Sequence, residues 1–326
     1  MYCIISDTRD PYFNLATEEY LMKHSEEDIF LLWQSELSVV VGKHQNTYAE
    51  INYPFIREHN IKVARRLSGG GTVFHDRGNL NFTFIRNGEP GKLVDFRRFV
   101  SPVIEMLQQL NVHAVMGGKN DILVDGKKIS GNAEHVYKNR VLHHGTLLFS
   151  SDLKKLGNAI RVKPGRYFDK AVQSNRSDVM NISENPSVVF DMSVFIEKLN
   201  AFILDKYKDA VKYKMNEQDR GEINKLVSEK YSTWEWIFGY SPDYYLQDTI
   251  KIRNGNLSFR LAVSKGRITG CEFNGSALSL EDNNLVSGKL TGLCHREEDI
   301  KVALDSLANS ISMSSEEITF LLSALF

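Results

Sequence analysis

The sequence predicts an α+β fold: a mixed or antiparallel β-sheet flanked by helices, followed by a small α+β C-terminal domain. Three observations lead there. Runs rich in β-branched and aromatic residues at 29–33, 38–42, 61–65 and 79–85 read as strands. The stretch 112–150 is β-like again and contains a lysine-rich hairpin, while polar segments with helical spacing lie between and after these runs. With 326 residues, the chain is long enough for one large and one small domain, each with its own core. We divide it into a larger domain, 1–245, and a smaller one, 246–326.

Taken in order, the segment from Asn14 to Lys23 predicts a helix with Asn14 as its cap. Two short strands, 29–33 and 38–42, precede a helix near Glu50 to Glu58. Asp95 to Leu110 predicts a second helix, whose Phe96, Phe99, Val103, Ile104, Leu107 and Leu110 repeat at core-facing spacing. Residues 192–230 hold two Lys- and Glu-rich helical stretches that end in Trp234 to Pro242. Turn signals at Asn254-Gly255-Asn256 and Lys265-Gly266 predict a meander over 249–274, and helices finish the chain.

Composition narrows the function. A formal net charge of −1 gives no general drive toward nucleic acid or anionic membrane. The start lacks the basic and apolar regions of a signal peptide, and no run reaches membrane-spanning length, so a cytoplasmic protein is expected. Cys3, Cys271 and Cys294 have no C-x-x-C spacing, which suggests neither a disulfide framework nor a zinc site.

The densest chemistry lies in Arg65-Arg66-Leu67-Ser68-Gly69-Gly70-Gly71-Thr72-Val73-Phe74-His75-Asp76. Three glycines leave backbone N–H groups unshielded and permit φ > 0, so the chain can curl around phosphate or carboxylate oxygens. A plain turn would look similar if nothing flanked it. Here strands flank it on both sides, whereas phosphate loops run from a strand into a helix and carry a lysine after the last glycine. A P-loop enzyme is disfavoured, and so is a dinucleotide-binding fold, which needs a further glycine and a helix.

A second motif runs from Gly118 to Asn132, with Asp125-Gly126 as a two-residue hairpin turn. Pairing Val124 with Lys127 predicts Leu123 opposite Lys128, Ile122 opposite Ile129 and Asp121 opposite Ser130. Alternation then puts Asp121, Leu123, Lys128 and Ser130 on one face and Ile122, Val124 and Ile129 on the other. The polar face is a platform for an anionic ligand; a solvated hairpin is the competing reading, and Lys127 is expected to be simply exposed. In the following strand His143 and His144 point to opposite faces, too few for a zinc centre, so hydrogen-bonded structural histidines are expected. Gly145 permits close approach of a ligand or a neighbouring strand.

Together these residues resemble the lipoate-protein ligase family, within the wider group of biotin/lipoate ligase domains. The resemblance rests on Arg65-Arg66-x-Ser68-Gly69-Gly70-Gly71-x-Val73-Phe74-His75-Asp76-x-Gly78-Asn79, on Asn120-Asp121 followed by Lys128-Ile129-Ser130-Gly131, and on His143-His144-Gly145-Thr146-Leu147-Leu148. Asn14-Leu15-Ala16, Gln45-Asn46 and Trp234 to Pro242 extend it over about the first 245 residues. It implies a biotin/lipoate ligase fold and two half-reactions: lipoate attacks ATP to give lipoyl-AMP and pyrophosphate, and a lysine of an acceptor lipoyl domain then attacks the mixed anhydride. It further implies that Lys128 contacts both lipoate and the nucleotide phosphate, as the catalytic residue. Arg66, Gly71, Thr72, Val73, Phe74, Asn120 and Asp121 would bind ATP or lipoyl-AMP, with Asp121 a Mg²⁺ contact. Ser68, Gly69, Gly70, His75 and Gly145 would bind lipoate with Lys128, while Trp33, Val40 and Val41 either line the lipoyl-tail pocket or pack the core. The implied partners are lipoate, ATP and a 2-oxoacid dehydrogenase E2 or glycine-cleavage H-type lipoyl domain, with no tightly bound organic cofactor.

The segment 171–182 departs from the family pattern. Asn175 stands where a valine is usual and Asp178 where an arginine is usual, a local change of two charge units that suggests a paralogue with a dedicated H-protein-like acceptor, or else a neutral surface change. Three rivals share the fold: a lipoyl or octanoyl transferase, cysteine-dependent or not, a biotin ligase, and a non-enzymatic binder of lipoate or lipoyl-AMP. No cysteine lies near either motif in sequence, which argues against a cysteine nucleophile.

Overall fold

The computed structural model describes all residues except 90–92, 119, 161–162, 176 and 253–254. Its strands are β1 (Tyr2–Ile5), β2 (Ile29–Gln34), β3 (Ser38–Val41), β4 (Lys62–Arg65), β5 (Val73–His75), β6 (Asn79–Asn87), β7 (Ala114–Gly117), β8 (Asp121–Val124), β9 (Lys127–Tyr137), β10 (Arg140–Leu148), β11 (Tyr167–Asp169), β12 (Val211–Lys212), β13 (Tyr244–Ile252), β14 (Gly255–Ser264) and β15 (Arg267–Gly275). Contacts divide the chain into two units. One comprises Met1–Lys43, Asn60–Asn158 and Ser174–Thr233; the other comprises His44–His59, Ala159–Gln173 and Trp234–Phe326.

The first unit is built on an eight-stranded sheet in the order β12-β1-β2-β6-β10-β9-β8-β7. β1 runs parallel to β12 and β2, and the remaining pairs are antiparallel, so the sheet is mixed as expected. Alternation along β6 sorts its two faces. Leu80, Phe82 and Phe84 pack on Phe99, Val103 and Leu107 of the helix Phe96–Gln109 and on Phe195, Leu199 and Ile203 of the helix Met192–Lys206. Asn79, Asn81 and Thr83 turn to the opposite face, which a three-stranded sheet β4-β3-β5 adjoins through the glycine segment.

The first helix spans Pro11–His24, and its cap is Asp10, whose carboxylate accepts the Tyr12 amide at 3.3 Å. Asn14, expected as the cap, lies inside the helix. It is fully buried, its Nδ2 donating to the carbonyls of Thr8 and Gln34 and its Oδ1 accepting from the Ser6 hydroxyl. Proline at the first helical position has its φ preset and has no N–H to satisfy, which makes Asp10-Pro11 the stronger start signal. The helix expected near 50–58 is two pieces, Thr47–Glu50 and Tyr53–Glu58.

The second unit carries the antiparallel sheet β11-β13-β14-β15, with the helices Leu280–Leu290, Glu297–Leu307 and Ser315–Ala324. The β14–β15 turn has Lys265 at φ 50° and Gly266 at φ 73°, the left-handed pair that a two-residue hairpin needs. The other expected turn includes Asn254, which lies outside the described residues. Leu246, Leu257, Leu261, Val286, Ile300, Leu304 and Leu321 fill this unit's core. No described helix is long and apolar enough to cross a membrane.

Candidate active site

The glycine segment is held from beneath by its own arginines. Arg65 is fully buried, and its Nη1 donates to the carbonyls of Gly42 and Lys43 at 3.0 and 2.9 Å. Arg66 donates from Nε to the Ser68 hydroxyl at 3.0 Å, from Nη1 to the Val40 carbonyl at 3.1 Å, and from Nη2 to the carbonyls of Gly69 and Gly71 at 2.6 and 2.8 Å. Arg66 was expected to reach out to phosphate; instead it points into its own loop and shapes it. Burial pulls this guanidinium down to about 10.

With both glycine carbonyls drawn inward, Gly70 takes φ 85°, a conformation that glycine adopts without steric penalty. Gly42 is as necessary, because a Cβ there would lie 2.2 Å from the Gly70 oxygen. The amide of Thr72, within the stretch expected to hold phosphate, donates to the Ser174 hydroxyl at 2.8 Å. A Cβ on Gly71 would sit 3.1 to 3.3 Å from Ser174. Neither Gly42 nor Ser174 carries a local sequence signal, since each acts through a contact distant along the chain.

The lysine hairpin turns at Asp125-Gly126 as expected, with φ 50° and 77°, and Val124–Lys127 and Leu123–Lys128 pair as predicted. A bulge follows. Ile122 pairs with Ser130 and Asp121 with Gly131, so the expected partners Ile129 and Ser130 are each displaced by one position. An extra residue in one strand moves everything beyond it to the other face. Ser130 is therefore buried on the core side, where its hydroxyl accepts from Asn132 Nδ2 at 3.2 Å, and it does not join Lys128. Lys128 and Asp121 remain together as an ion pair at 2.9 Å, each side chain about a quarter exposed, and Lys127 is exposed. Asn120 extends the ladder, donating from Nδ2 to the Asn132 carbonyl at 2.8 Å.

Strand β9 brings the two motifs together. The Lys128 ammonium folds over Gly131, 3.1 Å from where a Cβ would stand, and a Cβ on Gly70 would lie 3.9 Å from that of Ala133. Gly131 and Ala133 are two residues apart and share a face. The cationic head and the glycine turn thus occupy neighbouring places over one strand. The segment that departs from the family pattern is joined to the same strand: the Lys128 amide donates to the Asp178 carbonyl at 2.8 Å, and the Met180 amide donates to the Lys128 carbonyl at 3.1 Å. The side chains of Asn175 and Asp178 are exposed.

His75 is buried, and burial pushes its imidazole down to about 3. Neither ring nitrogen has a hydrogen-bond partner among the described residues. It meets the ring of buried Trp33 edge-on at 5.4 Å. Trp33, with Thr83, His144 and Thr146, lies on the face of the sheet that Ser68 covers. Val40 and Val41 are buried in β3. The two histidines of β10 part company as expected. His143 contacts Glu134 at 2.9 Å and Asn132 at 3.3 Å on the core face, while His144 meets Ser68 at 2.6 Å. Burial holds His143 below the usual imidazole range despite its carboxylate partner.

Gly145 requires a correction. It shares the core face with His143, and the space of its absent Cβ is filled by Asn132 Oδ1 at 2.0 Å and the Phe82 ring at 2.6 Å. Glycine there serves strand packing, on the side away from the glycine turn. Asp76 also has a structural task, accepting the amides of Gly78 and Asp152, each at 2.8 Å. Among the described residues no three His, Cys, Asp or Glu side chains converge as a metal site.

Residues 10–203 match the family described as the lipoyl protein ligase A/B catalytic domain. The chain belongs to this family. Residues 241–323 match a second family, the bacterial lipoate protein ligase C-terminus. The chain is 38% identical over 297 residues to lipoate–protein ligase 1 of Staphylococcus aureus, covering 90% of this chain and 90% of that protein. It is 37% identical over 306 residues to the lipoate-protein ligase LplJ of Bacillus subtilis, covering 91% of each. Among solved structures, the crystal structure of lipoate-protein ligase A bound with ATP is similar at 25% identity and a TM-score of 0.63, over 73% of this chain and 98% of that one.

Proposed function

We propose that this chain is a lipoate–protein ligase that activates lipoate with ATP and transfers the lipoyl group to a lysine of an acceptor lipoyl domain. The observation that carries the reading is the placement of Lys128 beside the glycine turn on one face of β9, in a chain that matches both the catalytic and the C-terminal family. In the first half-reaction a lipoate carboxylate oxygen bonds to the α-phosphorus of ATP, and pyrophosphate leaves. In the second, the acceptor amine bonds to the acyl carbon, and AMP leaves. Negative charge gathers on carboxylate and phosphate oxygens in both, and a fixed ammonium with preset amides stabilises it without reorganising.

Lys128 is the catalytic cation, and the amides from Gly71 to Phe74 receive phosphate. Asp121 fits a Mg²⁺ carried in by the nucleotide, since Mg²⁺ takes one or two carboxylates beside phosphate oxygens. Lipoate lies toward Ser68, Gly69, Gly70 and His75, whose unpartnered ring nitrogens suit a polar ligand. We assign catalysis to 1–245 and an accessory role to 246–326. The stretches 44–59 and 159–173 share a contact unit with the C-terminal residues. Cys3 and Cys271 are poor nucleophiles for an acyl transfer, because burial pushes the Cys3 thiol up to about 11 and the Cys271 thiol up to about 12, away from thiolate character.

We place the enzyme in the cytoplasm, acting on a 2-oxoacid dehydrogenase E2 or an H-type lipoyl domain. The exposed Asn175 and Asp178 favour a dedicated H-type acceptor. The test is lipoate-dependent pyrophosphate release from ATP, with Mg²⁺ titrated, followed by the mass of a panel of lipoyl domains. Absence of pyrophosphate release would overturn the ligase assignment, and equal modification of the whole panel would overturn the dedicated acceptor.

A further inference from the structure

A buried polar chain runs from the sheet interior to the glycine turn. Its first member is Glu18, in the helix Pro11–His24, which receives the Thr83 hydroxyl at 2.6 Å and faces His144 Nδ1 at 3.0 Å. His144 Nε2 meets the Ser68 hydroxyl at 2.6 Å, and that hydroxyl accepts Arg66 Nε–H at 3.0 Å. Arg66 then holds the carbonyls of Gly69 and Gly71. Glu18, Ser68 and Arg66 are each no more than 5% exposed and His144 is 8% exposed, so water hardly competes.

The donors order themselves. Arg66 can only donate, so Ser68 accepts from it, and the same hydroxyl lies 2.6 Å from His144 Nε2 and 3.5 Å from the Gly69 carbonyl. His144 Nδ1 faces the Glu18 carboxyl oxygens at 3.0 and 3.1 Å, so a ring proton there is donated to Glu18. The Arg66 guanidinium and the Glu18 carboxyl group are therefore joined through Ser68 and His144 in one continuous buried hydrogen-bond chain. Such a chain reinforces itself and tolerates no missing link.

We propose that Glu18, His144 and Ser68 are positioning residues that fix the Arg66 guanidinium and, through it, the conformation of the glycine turn that receives the nucleotide. The inference rests on the ligase reading for its kinetic consequences but on the hydrogen-bond chain for its structural ones. His143 is the built-in control: it is equally buried and hydrogen-bonded, on the opposite face of the same strand.

The test uses the full-length protein carrying Ser68→Ala, His144→Ala, the double substitution, the milder Glu18→Gln, the hydroxyl-preserving Ser68→Thr, and His143→Gln. Hydrogen exchange of the 66–72 backbone should speed up in Ser68→Ala and His144→Ala, and should stay at the wild-type rate in His143→Gln. In lipoate-dependent pyrophosphate release, each alanine variant should lose about 100-fold in kcat/KM for ATP, the scale of an ångström-level misplacement. The double variant should lose no more than about threefold beyond either single one, because a broken chain cannot be broken twice. Ser68→Thr should restore most of the loss, and Glu18→Gln should show a smaller loss of the same kind if the alanine variants fail to fold.

Multiplicative losses, a rise confined to the KM for lipoate, or unchanged exchange in the turn would overturn the proposal. An inactive wild-type protein whose turn still loosens in Ser68→Ala and His144→Ala would overturn the ligase reading alone.

Discussion

The hydroxyl of Ser174 occupies the amide of Thr72 at 2.8 Å. That amide belongs to the stretch we assign to phosphate, so nucleotide and serine compete for one donor. Removing the competitor should favour the nucleotide. Ser174→Ala is expected to tighten ATP binding about two- to tenfold, the equivalent of one net hydrogen bond, as read by calorimetry without lipoate. Weaker binding would mean that the hydroxyl steadies the loop instead.

Lys128 and Lys127 are adjacent but turn opposite ways. We expect Lys128→Ala to lower lipoate-dependent pyrophosphate release at least about 1000-fold, an effect of the size seen when a transition-state charge stabiliser is lost. Lys127→Ala should stay within about twofold. Circular dichroism of both variants checks that the fold is intact, and similar losses in the two would refute the assignment of Lys128.

Asp121 pairs with Lys128 at 2.9 Å and is our candidate Mg²⁺ contact. Asp121→Asn keeps the shape and removes the charge. The Mg²⁺ concentration at half-maximal activity should rise about tenfold or more, since few carboxylates share the ion. A Mg²⁺ titration with an unchanged midpoint would leave Asp121 only its pairing role.

His75 links stability to pH. Its folded value of about 3 lies below the ordinary 6.5, so between those values the unfolded chain binds a proton that the folded chain does not. Stability should be intact above pH 6.5 and should fall as pH drops toward 3, by up to about 1.4 kcal/mol per pH unit for this group. Urea unfolding at pH 7, 5.5 and 4.5 should show that slope reduced in His75→Gln. An identical slope in the variant would mean that other groups carry the acid sensitivity.

Gly145 and Gly42 test packing against function. Gly145→Ala drives a Cβ into Asn132 and Phe82 and should cost about 1–3 kcal/mol of stability, with kcat/KM nearly unchanged below the melting transition. Gly42→Ala pushes on the Gly70 oxygen and should instead lower kcat/KM for ATP by about tenfold or more, through a displaced turn. Melting curves and kinetics on the two variants separate the effects, and equal kinetic losses would contradict the core-face placement of Gly145.

The sequence displays whatever depends on local chemistry. The Asp125-Gly126 turn, the strand over 79–85 and the triple glycine between strands are each determined by their own few residues, and each stands where expected. The bulge after Lys128 does not show, because it answers to the burial of Ile129 and Ser130 against distant residues. The Asp10 cap is legible in Asp10-Pro11, a stronger start signal than Asn14 three residues further on. The contact between Ser68 and His144 spans 76 positions, and that between Glu18 and His144 spans 126. No spacing rule reaches so far, although the residue types could be named singly.

The second contact unit is stitched from three separated stretches. Tyr48, near its beginning, donates its hydroxyl to the His295 carbonyl at 3.0 Å, 247 positions later. At a synthesis rate of about 5–20 residues per second, those partners leave the ribosome on the order of 12–50 s apart. Through that interval Tyr48, buried in the finished protein in a core otherwise built from residues 244–326, lacks most of its packing partners. The second unit's core is therefore completed only when nearly the whole chain has emerged, although one of its aromatic rings is among the first residues made.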